Sequence, residues 1–289
     1  MNNIIRMVES LLSDKSAANR KSPLKNLGFV SCANTIHIKH VPFYDPCLIL
    51  VLSGRKVLFE GQQPIYCEAG KIIAVPAPSS FDLRNEPDPR TKKYNAIIIP
   101  FKLDMLERLG RMHTLVHEVQ RDPVGILKFD PDDTLYTSIE HYLTTLDNPK
   151  LLNHRLMEIL LILVSNNTAL LSYDLHRNSW SQRVRAVVAA DLAQVWEISE
   201  VCSRLATTES TLRRNLKRED TSFRELLYEL RLSSALMQLL QTTLPVYRVA
   251  YDCGYQSVSR FSSNFRKRFG VPPTQFRTSL SESERTLAV

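Results

Sequence analysis

Hydroxyl and positively charged side chains alternate with phenylalanines in the segment CGYQSVSRFSSNFRKRFG, residues 253–270. Phe261, Phe265 and Phe269 recur every four residues, the spacing that places side chains on one face of a helix. Ser, Arg and Lys then occupy the remaining faces, where they can bind phosphate oxygens or the edges of DNA bases. Taken alone, the segment is equally well explained as an amphipathic surface helix with solvated charges.

Histidine is the other residue type here that could support chemistry, by binding a metal ion. His113 and His117 have the i, i+4 spacing of ligands on one helix, but the H-E-x-x-H pattern is absent. His37 and His40 precede an apolar run without an H-x-H pair or a later His that would complete a triad. The sequence also lacks a Gly-rich phosphate loop and a G-x-S-x-G elbow. We therefore expect no catalytic residue, no metal site and no cofactor, and residues that bind an effector stay unassigned.

The charge of the chain is concentrated near its C-terminus. The 289 residues carry a net charge of +7 at pH 7, and residues 181–277 hold 15 Lys or Arg against 9 Asp or Glu. Such a basic segment favours an anionic partner. The five cysteines form no C-x-x-C pair, which indicates neither a zinc knuckle nor a disulfide framework and favours the cytoplasm. The most apolar run, residues 156–164, is too short to span a bilayer, so we expect no membrane segment.

The first half of the chain reads as strands followed by helices. Residues 1–15 have the apolar spacing of a short amphipathic helix, and short apolar or alternating runs fill residues 36–101, as in a small barrel or sandwich. The helical pattern that follows covers 103–119, 132–146 and 153–171. The last helix is apolar nearly all round, which predicts that it is either buried in its own domain or shared with a second chain.

Two polar segments of this half are predicted to be irregular. Residues 75–94 would form a loop over one end of the strands, where Arg84, Arg90, Lys92 and Lys93 can meet an anion, although a solvated loop explains them more simply. Residues 172–182 read as a linker between two domains.

The C-terminal third contains an internal repeat of two helical units. Helices are predicted at 182–193, 196–206, 208–220 and 223–241, after which the pattern begins again at Pro245. Each unit has a helix, a tight turn, a Ser or Thr cap and a second helix with cations, the outline of a helix-turn-helix. Two such units can place both second helices in DNA grooves about 34 Å apart. The matching pairs are Val201 with Val249, Cys202 with Ala250 and Leu205 with Cys253 at an offset of 48, then Thr208 with Ser257 and Leu212 with Phe261 at 49.

Residues 196–277 resemble the DNA-binding domain of the AraC/XylS family of bacterial transcription regulators. The resemblance rests on the run G-[YF]-x-S-x-S-x-F-x-x-x-F-[RK]-[RK]-x-F-G-x-x-P-x-x-[FY]-R. It implies an α+β protein of two domains: a cupin-like β-barrel for sensing and dimerisation with a helical dimerisation segment (1–175), and an all-α double helix-turn-helix domain (182–277). Residues 278–289 would be a flexible tail.

The resemblance also implies DNA contacts, residue by residue. Arg213 and Arg214 are the strongest candidates, since a guanidinium group can bind guanine or phosphate in bidentate fashion. Ser263 departs from the family pattern, which usually has Arg there, so Arg260 or Arg266 replaces that anchor or the second unit reads fewer bases. Val258 can contact only an apolar group such as a thymine methyl. The positions are Thr208, Ser210, Arg213, Arg214 and Lys217 in the first unit, and Ser257, Val258, Ser259, Arg260, Ser262, Ser263 and Arg266 in the second.

These observations favour a cytoplasmic, sequence-specific regulator of transcription that binds double-stranded DNA. The family implies activation, a homodimer, RNA polymerase as partner and a small-molecule effector. One rival is a metal-dependent cupin enzyme with an appended nucleic-acid-binding module. Another is an architectural protein that binds duplex DNA without sequence preference.

Overall fold

The computed structural model describes residues 1–13, 26–114, 125–176, 179–242 and 244–279. The chain divides into two compact units, whose boundary lies between Leu175 and His176. Within the described ranges, none of the helices has the length and apolar character that crossing a bilayer requires. All five cysteines are buried free thiols.

The first unit is built on nine antiparallel strands in two sheets. The first sheet has the strand order β1-β8-β3-β6-β9 and the second β2-β7-β4-β5, and ladder hydrogen bonds do not close them into one barrel. Of the two folds predicted from the sequence, a sandwich therefore describes these strands better than a barrel. The strands are β1 (Gly28–Cys32), β2 (Ile36–Phe43), β3 (Cys47–Ser53), β4 (Arg55–Glu60), β5 (Gln63–Glu68), β6 (Ile72–Val75), β7 (Ser79–Glu86), β8 (Tyr94–Pro100) and β9 (Leu127–Phe129).

Helices cover one face of the first sheet. Leu48, Leu50 and Leu52 alternate along β3 and share a core with the helices, whereas the residues between them point to the opposite face. That core explains the amphipathic pattern at the N-terminus, because Ile4 and Val8 are buried in it. The helices are α1 (Asn2–Ser13), α2 (Leu103–Thr114), α3 (Asp133–Thr144), α4 (Pro149–Asn166) and a 3₁₀ helix (Thr168–His176).

Both segments that we predicted to be irregular contain regular structure. Strand β7 occupies residues 79–86 of the expected loop at 75–94, and in it Arg84 forms an ion pair with Glu86 at 2.6 Å. The expected linker at 172–182 begins inside the 3₁₀ helix, where the hydroxyl oxygen of the buried Tyr173 lies 2.8 Å from the carbonyl oxygens of both Ala74 and Gly125, which share its single proton. Polar composition misled both predictions, because alternate residues of β7 face solvent and Tyr173 is anchored by residues distant in sequence.

All regular elements in the described residues of the second unit are helices. The predicted helix at 182–193 is the shorter α5, and Thr278 and Ser279 belong to α11 instead of a tail. Residues 280–289, and the predicted helical residues 115–119 of the first unit, lie outside the described ranges. The helices are α5 (Trp180–Val188), α6 (Ile198–Arg204), α7 (Glu209–Arg218), α8 (Phe223–Gln241), α9 (Val246–Asp252), α10 (Val258–Phe269) and α11 (Pro273–Ser279).

The predicted phenylalanine stripe of α10 is fully buried. Phe261, Phe265 and Phe269 have no exposed surface, and the rings of Phe265 and Phe269 meet edge to face at 4.7 Å. Phe276 of α11 packs on Phe265 from the other side at 6.1 Å. Gly270 ends α10 in the left-handed conformation, and its N–H donates to the carbonyl of Arg266. These contacts fix one face of α10 inward and leave the other exposed.

Candidate nucleic-acid interface

Two helix-turn-helix units repeat with the same backbone geometry. α9 begins 48 residues after α6, as Val246 follows Ile198, and both helices have 7 residues. Each first helix ends in a left-handed residue, Ala206 with φ 50° and Gly254 with φ 79°. The sequence repeat is therefore a structural repeat, and the extra residue of the second unit lies in the turn that follows Gly254.

A hydroxyl group caps the second helix of each unit. The Thr208 side chain accepts a hydrogen bond from the N–H of Thr211, and the Ser257 side chain accepts one from the N–H of Arg260, each at 3.3 Å. The first-turn amides of a helix otherwise lack partners. Among the twelve predicted DNA contacts, Thr208 and Ser257 thus have a structural role as caps.

The outer face of α7 carries most of the predicted contacts of the first unit. Leu212 and Leu216 point into the core, so helical spacing places Ser210, Arg214 and Lys217 on the opposite side, where all three are exposed. Arg213 lies at the edge of this face, 3.2 Å from the carboxylate of Glu209 and 64% exposed. An exposed i, i+4 pair of this kind is weak, so the guanidinium group remains available for another partner.

The outer face of α10 is less cationic. Ser259, Arg260, Ser263 and Arg266 are exposed, whereas Val258 and Ser262 are half-buried. Position 262 lies beside the buried stripe, because a rotation of about 100° per residue turns it only part of the way toward solvent. The prediction that the serines face outward therefore describes Ser259 and Ser263 better than Ser262.

Two cations on these faces were absent from the predicted set, and one prominent cation has another role. Arg218 of α7 and Lys267 of α10 are exposed on the sides opposite the buried residues. Helical spacing from the leucines and phenylalanines was the signal that could have identified them. Arg268, expected to face outward, is 15% exposed, and its Nε lies 2.7 and 2.8 Å from the two carboxylate oxygens of Glu229. It fastens α10 to α8.

The long helix α8 holds both units. Arg231 donates hydrogen bonds to the carbonyl oxygens of Leu192 and Gln194, at 3.1 and 2.8 Å, in the loop before α6. Two residues earlier, Glu229 binds Arg268 of the second unit. Gly254 packs against the same arginine as that loop, since a Cβ there would lie 2.8 Å from the guanidinium group of Arg231. α8 therefore contacts the loop before α6 in the first unit and helix α10 in the second.

Glu219, which follows the last residue of α7, caps the start of α5. Its carboxylate accepts hydrogen bonds from the backbone N–H groups of Trp180 and Ser181, at 2.7 and 2.9 Å, and from the Ser181 hydroxyl. The negative charge also matches the positive end of the helix dipole. The first residues of α5 are thereby joined to the C-terminal end of α7.

The histidines do not assemble a metal site in the described part of the chain, where no group of three or more His, Cys, Asp or Glu is placed to bind an ion. His37 lies 5.7 Å from the ring of Phe59, and the backbone N–H of His40 donates to Asp82. His113 is in the last turn of α2, and His117 lies outside the described residues.

Two family models match the chain. Residues 201–279 match a helix-turn-helix domain, and residues 46–173 match the ExsA N-terminal regulatory domain. Together the two matches reach into both structural units, and the first contains both repeats of the interface.

Relatives with known names share the C-terminal part most clearly. The urease operon transcriptional activator of Escherichia coli is 33% identical over 112 residues, 39% of this chain and 37% of that protein. The regulator GadX of Escherichia coli K12 is 36% identical over 95 residues, 33% of this chain and 35% of GadX. These matches span little more than a third of each relative. The dual regulator Rns of Escherichia coli is 22% identical over 255 residues, 84% of this chain and 94% of Rns.

Solved structures share the fold of both units. The apo form of a ToxT variant from Vibrio cholerae has a TM-score of 0.64 and 16% identity, covering 88% of this chain and 97% of ToxT. The named relatives are transcriptional regulators, which agrees with the prediction that the chain is not an enzyme and gives the cupin-enzyme rival no support. The helix-turn-helix match, the relatives and the geometry lead to one assignment: residues 201–279 form a helix-turn-helix domain similar to those of AraC/XylS-family transcription regulators.

Proposed function

We propose that this chain regulates transcription by binding specific double-stranded DNA with α7 and α10 in neighbouring major grooves. One observation carries the proposal: two capped helices follow turns of the same kind, and each presents an exposed polar face while its other face is buried. A helix of this size fits the major groove. The residues that we propose to contact DNA are Ser210, Arg213, Arg214, Lys217, Val258, Ser259, Arg260, Ser262, Ser263 and Arg266, with Thr208 and Ser257 as caps that also approach the backbone.

The two helices make unequal contributions in this proposal. Arg213, Arg214 and Lys217 give α7 the side chains that bind guanine and phosphate most strongly. The outer face of α10 offers serine hydroxyls at 259 and 263, which bond to either base type and discriminate weakly. We therefore expect the half-site under α7 to be read more stringently than the half-site under α10.

The proposal includes a homodimer formed through the helices of the first unit. α4 buries Leu156, Leu160 and Leu163, yet it leaves Leu151 and Leu161 largely exposed. The other leucines bury α4 in the core of its own unit, which is the first of the two alternatives for the most apolar helix. The two exposed leucines support the second alternative as well, that the helix is shared with another chain. Activation, and RNA polymerase as a partner, follow from the family.

The first unit is proposed to sense a small molecule in the cytoplasm. Its likeness to ToxT, which has been crystallised with an unsaturated fatty acid bound, supports a ligand-binding role for this region. The relation of its two sheets to the cupin barrel stays a prediction.

Selection of bound sites from a random duplex library tests the proposal. We expect one recovered motif with two elements about one helical turn apart, because α7 and α10 are held on one frame. Competition with random DNA separates specific recognition from architectural binding, which depends on salt but not on sequence. Recovery of no motif, or equal competition by random DNA, would reject the proposal. Stoichiometric tightly bound metal in the purified protein would revive the enzyme rival.

A further inference from the structure

The same backbone hydrogen bond closes the turn of both helix-turn-helix units. The N–H of Thr207 donates to the carbonyl oxygen of Cys202 at 3.0 Å, and the N–H of Tyr255 donates to that of Ala250 at 2.9 Å. Each bond runs from the residue after the left-handed residue back to the first helix of the unit. Tyr255 follows Thr207 by 48 residues, so the two turns correspond residue by residue up to this point.

The correspondence then shifts by one residue. Thr208, the cap of α7, directly follows Thr207, whereas Ser257, the cap of α10, comes two residues after Tyr255. Gln256 is therefore the additional residue of the second helix-turn-helix. The first one closes its turn and caps its helix without such a residue, so neither the turn nor the cap requires it.

The side chain of Gln256 is not used by the fold. It is exposed, and it forms no hydrogen bond with any described residue. The preceding residue, Tyr255, is 9% exposed, and its ring packs edge to face on Phe261 at 5.3 Å. Packing thus fixes the backbone on both sides of Gln256, while its carboxamide group remains available to another molecule.

Gln256 directly precedes the cap of α10, at the end of that helix which meets the bases. In a helix-turn-helix, the N-terminal residues of the second helix contact base edges in the major groove. Three residues of chain span at most about 11 Å, so Gln256 lies within roughly three base-pair steps of the position that Ser259 contacts. Next to the hydroxyl of Ser259 and the guanidinium group of Arg260, the turn therefore contributes a carboxamide.

The chemistry of a carboxamide favours one base. It has N–H donors and an oxygen acceptor side by side, and adenine presents the matching pair in the major groove, the N7 acceptor and the N6 amino donor. Guanine presents two acceptors there, and thymine presents one acceptor beside a methyl group. These bases satisfy one of the two groups of the carboxamide, whereas adenine satisfies both.

We propose that Gln256 is a specificity-determining residue that reads an adenine at one end of the half-site under α10. The side-chain N–H donates to N7 of the base, and the side-chain oxygen accepts a hydrogen bond from the N6 amino group. This inference rests on the proposed DNA-binding function, and it gives α10 a contact that discriminates between bases more strongly than its serines do.

Selection of duplex sites with the full chain and with Gln256→Ala tests the inference. The element under α10 is recognised as the one whose base preference survives Arg214→Ala. We expect the parent to prefer adenine at one end of that element, and Gln256→Ala to lose this preference while it keeps those at the other positions. Gln63→Ala, at an exposed glutamine of β5 in the other structural unit, is the matched control and should select the parent's motif.

Fluorescence anisotropy on defined duplexes measures the contact itself. Replacement of that A·T pair by G·C should weaken binding of the parent about 5- to 50-fold and that of Gln256→Ala less than about 2-fold. Replacement of the adenine by 7-deaza-adenine removes the N7 acceptor alone. It should weaken binding of the parent about 3- to 10-fold and leave the affinity of Gln256→Ala unchanged.

Three results would overturn the inference. The parent shows no adenine preference at either end of the element under α10, Gln256→Ala keeps the parent's preference at every position, or Gln256→Ala binds all duplexes, including random ones, more weakly by the same factor. The last result would make Gln256 a phosphate contact. Failure of the parent to select any motif rejects the proposed function instead, so the two failures are distinguishable.

Discussion

The arginines of the second unit differ in whether their guanidinium groups are bonded to other parts of the protein. Arg231 and Arg268 are held by partners 37–39 residues away in sequence, whereas Arg214 on α7 forms no ion pair among the described residues. The sequence predicts a basic face but not this division, because the partners of Arg231 and Arg268 come from other elements. Only the folded structure therefore shows which cations are available to contact DNA.

Arg213→Ala should weaken binding to the selected DNA site by about 1–3 kcal/mol, the loss expected for a contact to a base edge. Binding to random duplex should change much less, because non-specific affinity comes from many phosphate contacts. Arg108→Ala is a close control: Arg108 is also 64% exposed and pairs with an acid one helical turn away, but it lies in the first unit. Equal loss on both DNAs would make Arg213 a phosphate contact.

Lys56 should make the stability of the first unit depend on pH. Its burial on β4 lowers its pKa in the folded chain to about 8, below the ordinary value of 10.5. Between these values the unfolded chain binds the proton and the folded chain does not, so the free energy of unfolding rises with pH by up to about 1.4 kcal/mol per unit. Below pH 8 this contribution levels off.

Urea unfolding of the parent and of Lys56→Met, followed by circular dichroism, measures this effect. From pH 8 to 10 the parent should gain about 2 kcal/mol relative to the variant. The comparison cancels the buried thiols and Tyr94, whose raised pKa values act in the opposite direction as pH increases. A constant difference between the two proteins across this range would contradict the buried, titrating amine.

At the scale of the elements, the turns that join the two helices of each unit have the same backbone shape, but only the turn of the first unit is strained. The left-handed residue is alanine in the first unit and glycine in the second. Side chains with a Cβ disfavour this conformation, so Ala206→Gly should stabilise the second unit by about 1 kcal/mol. Gly254→Ala should destabilise it by about 1–3 kcal/mol, as its Cβ would lie 2.4 Å from the carbonyl oxygen of Leu192. Both tryptophans, Trp180 and Trp196, lie in this unit, so their fluorescence during urea unfolding reports both changes.

The phenylalanine stripe of α10 gives a second prediction at the level of the element. Phe265→Ala should cost about 3–5 kcal/mol of stability, because it leaves a cavity between the rings of Phe261, Phe269 and Phe276. Thermal unfolding followed by tryptophan fluorescence measures it. An unchanged Tm would show that the stripe does not support the second unit.

Periodicity predicted helices better than composition predicted loops. Phe223–Gln241 agrees with the predicted bounds of α8 because its apolar residues recur at helical spacing and Ser222 caps its start. The charged residues of β7 predict a loop, and that prediction is wrong because Phe81, Leu83 and Asn85 alternate inward as in a strand. The repeat could be identified from sequence alone, because each unit buries apolar residues at equivalent positions, and this pattern is visible within a short segment of the chain. The separation into two sheets depends on pairing between distant strands, which residue patterns do not report.

For the whole molecule, the distribution of charge predicts how salt affects DNA binding. Six exposed cations of α7 and α10 form no ion pair among the described residues. If each neutralises one phosphate, the logarithm of affinity should fall against the logarithm of salt concentration with a slope of about −5 per bound chain. Fluorescence anisotropy at several salt concentrations measures the slope, and a slope near zero would contradict an interface on these faces. The six are Arg214, Lys217, Arg218, Arg260, Arg266 and Lys267.

The bond between Glu219 and the start of α5 has a mechanical consequence. The first amides of α5 are those of Trp180 and Ser181. Their amides are tethered to a carboxylate attached directly to the end of α7. A shift of the first residues of α5 is therefore resisted by hydrogen bonds to the end of α7, the helix that carries Arg213 and Arg214.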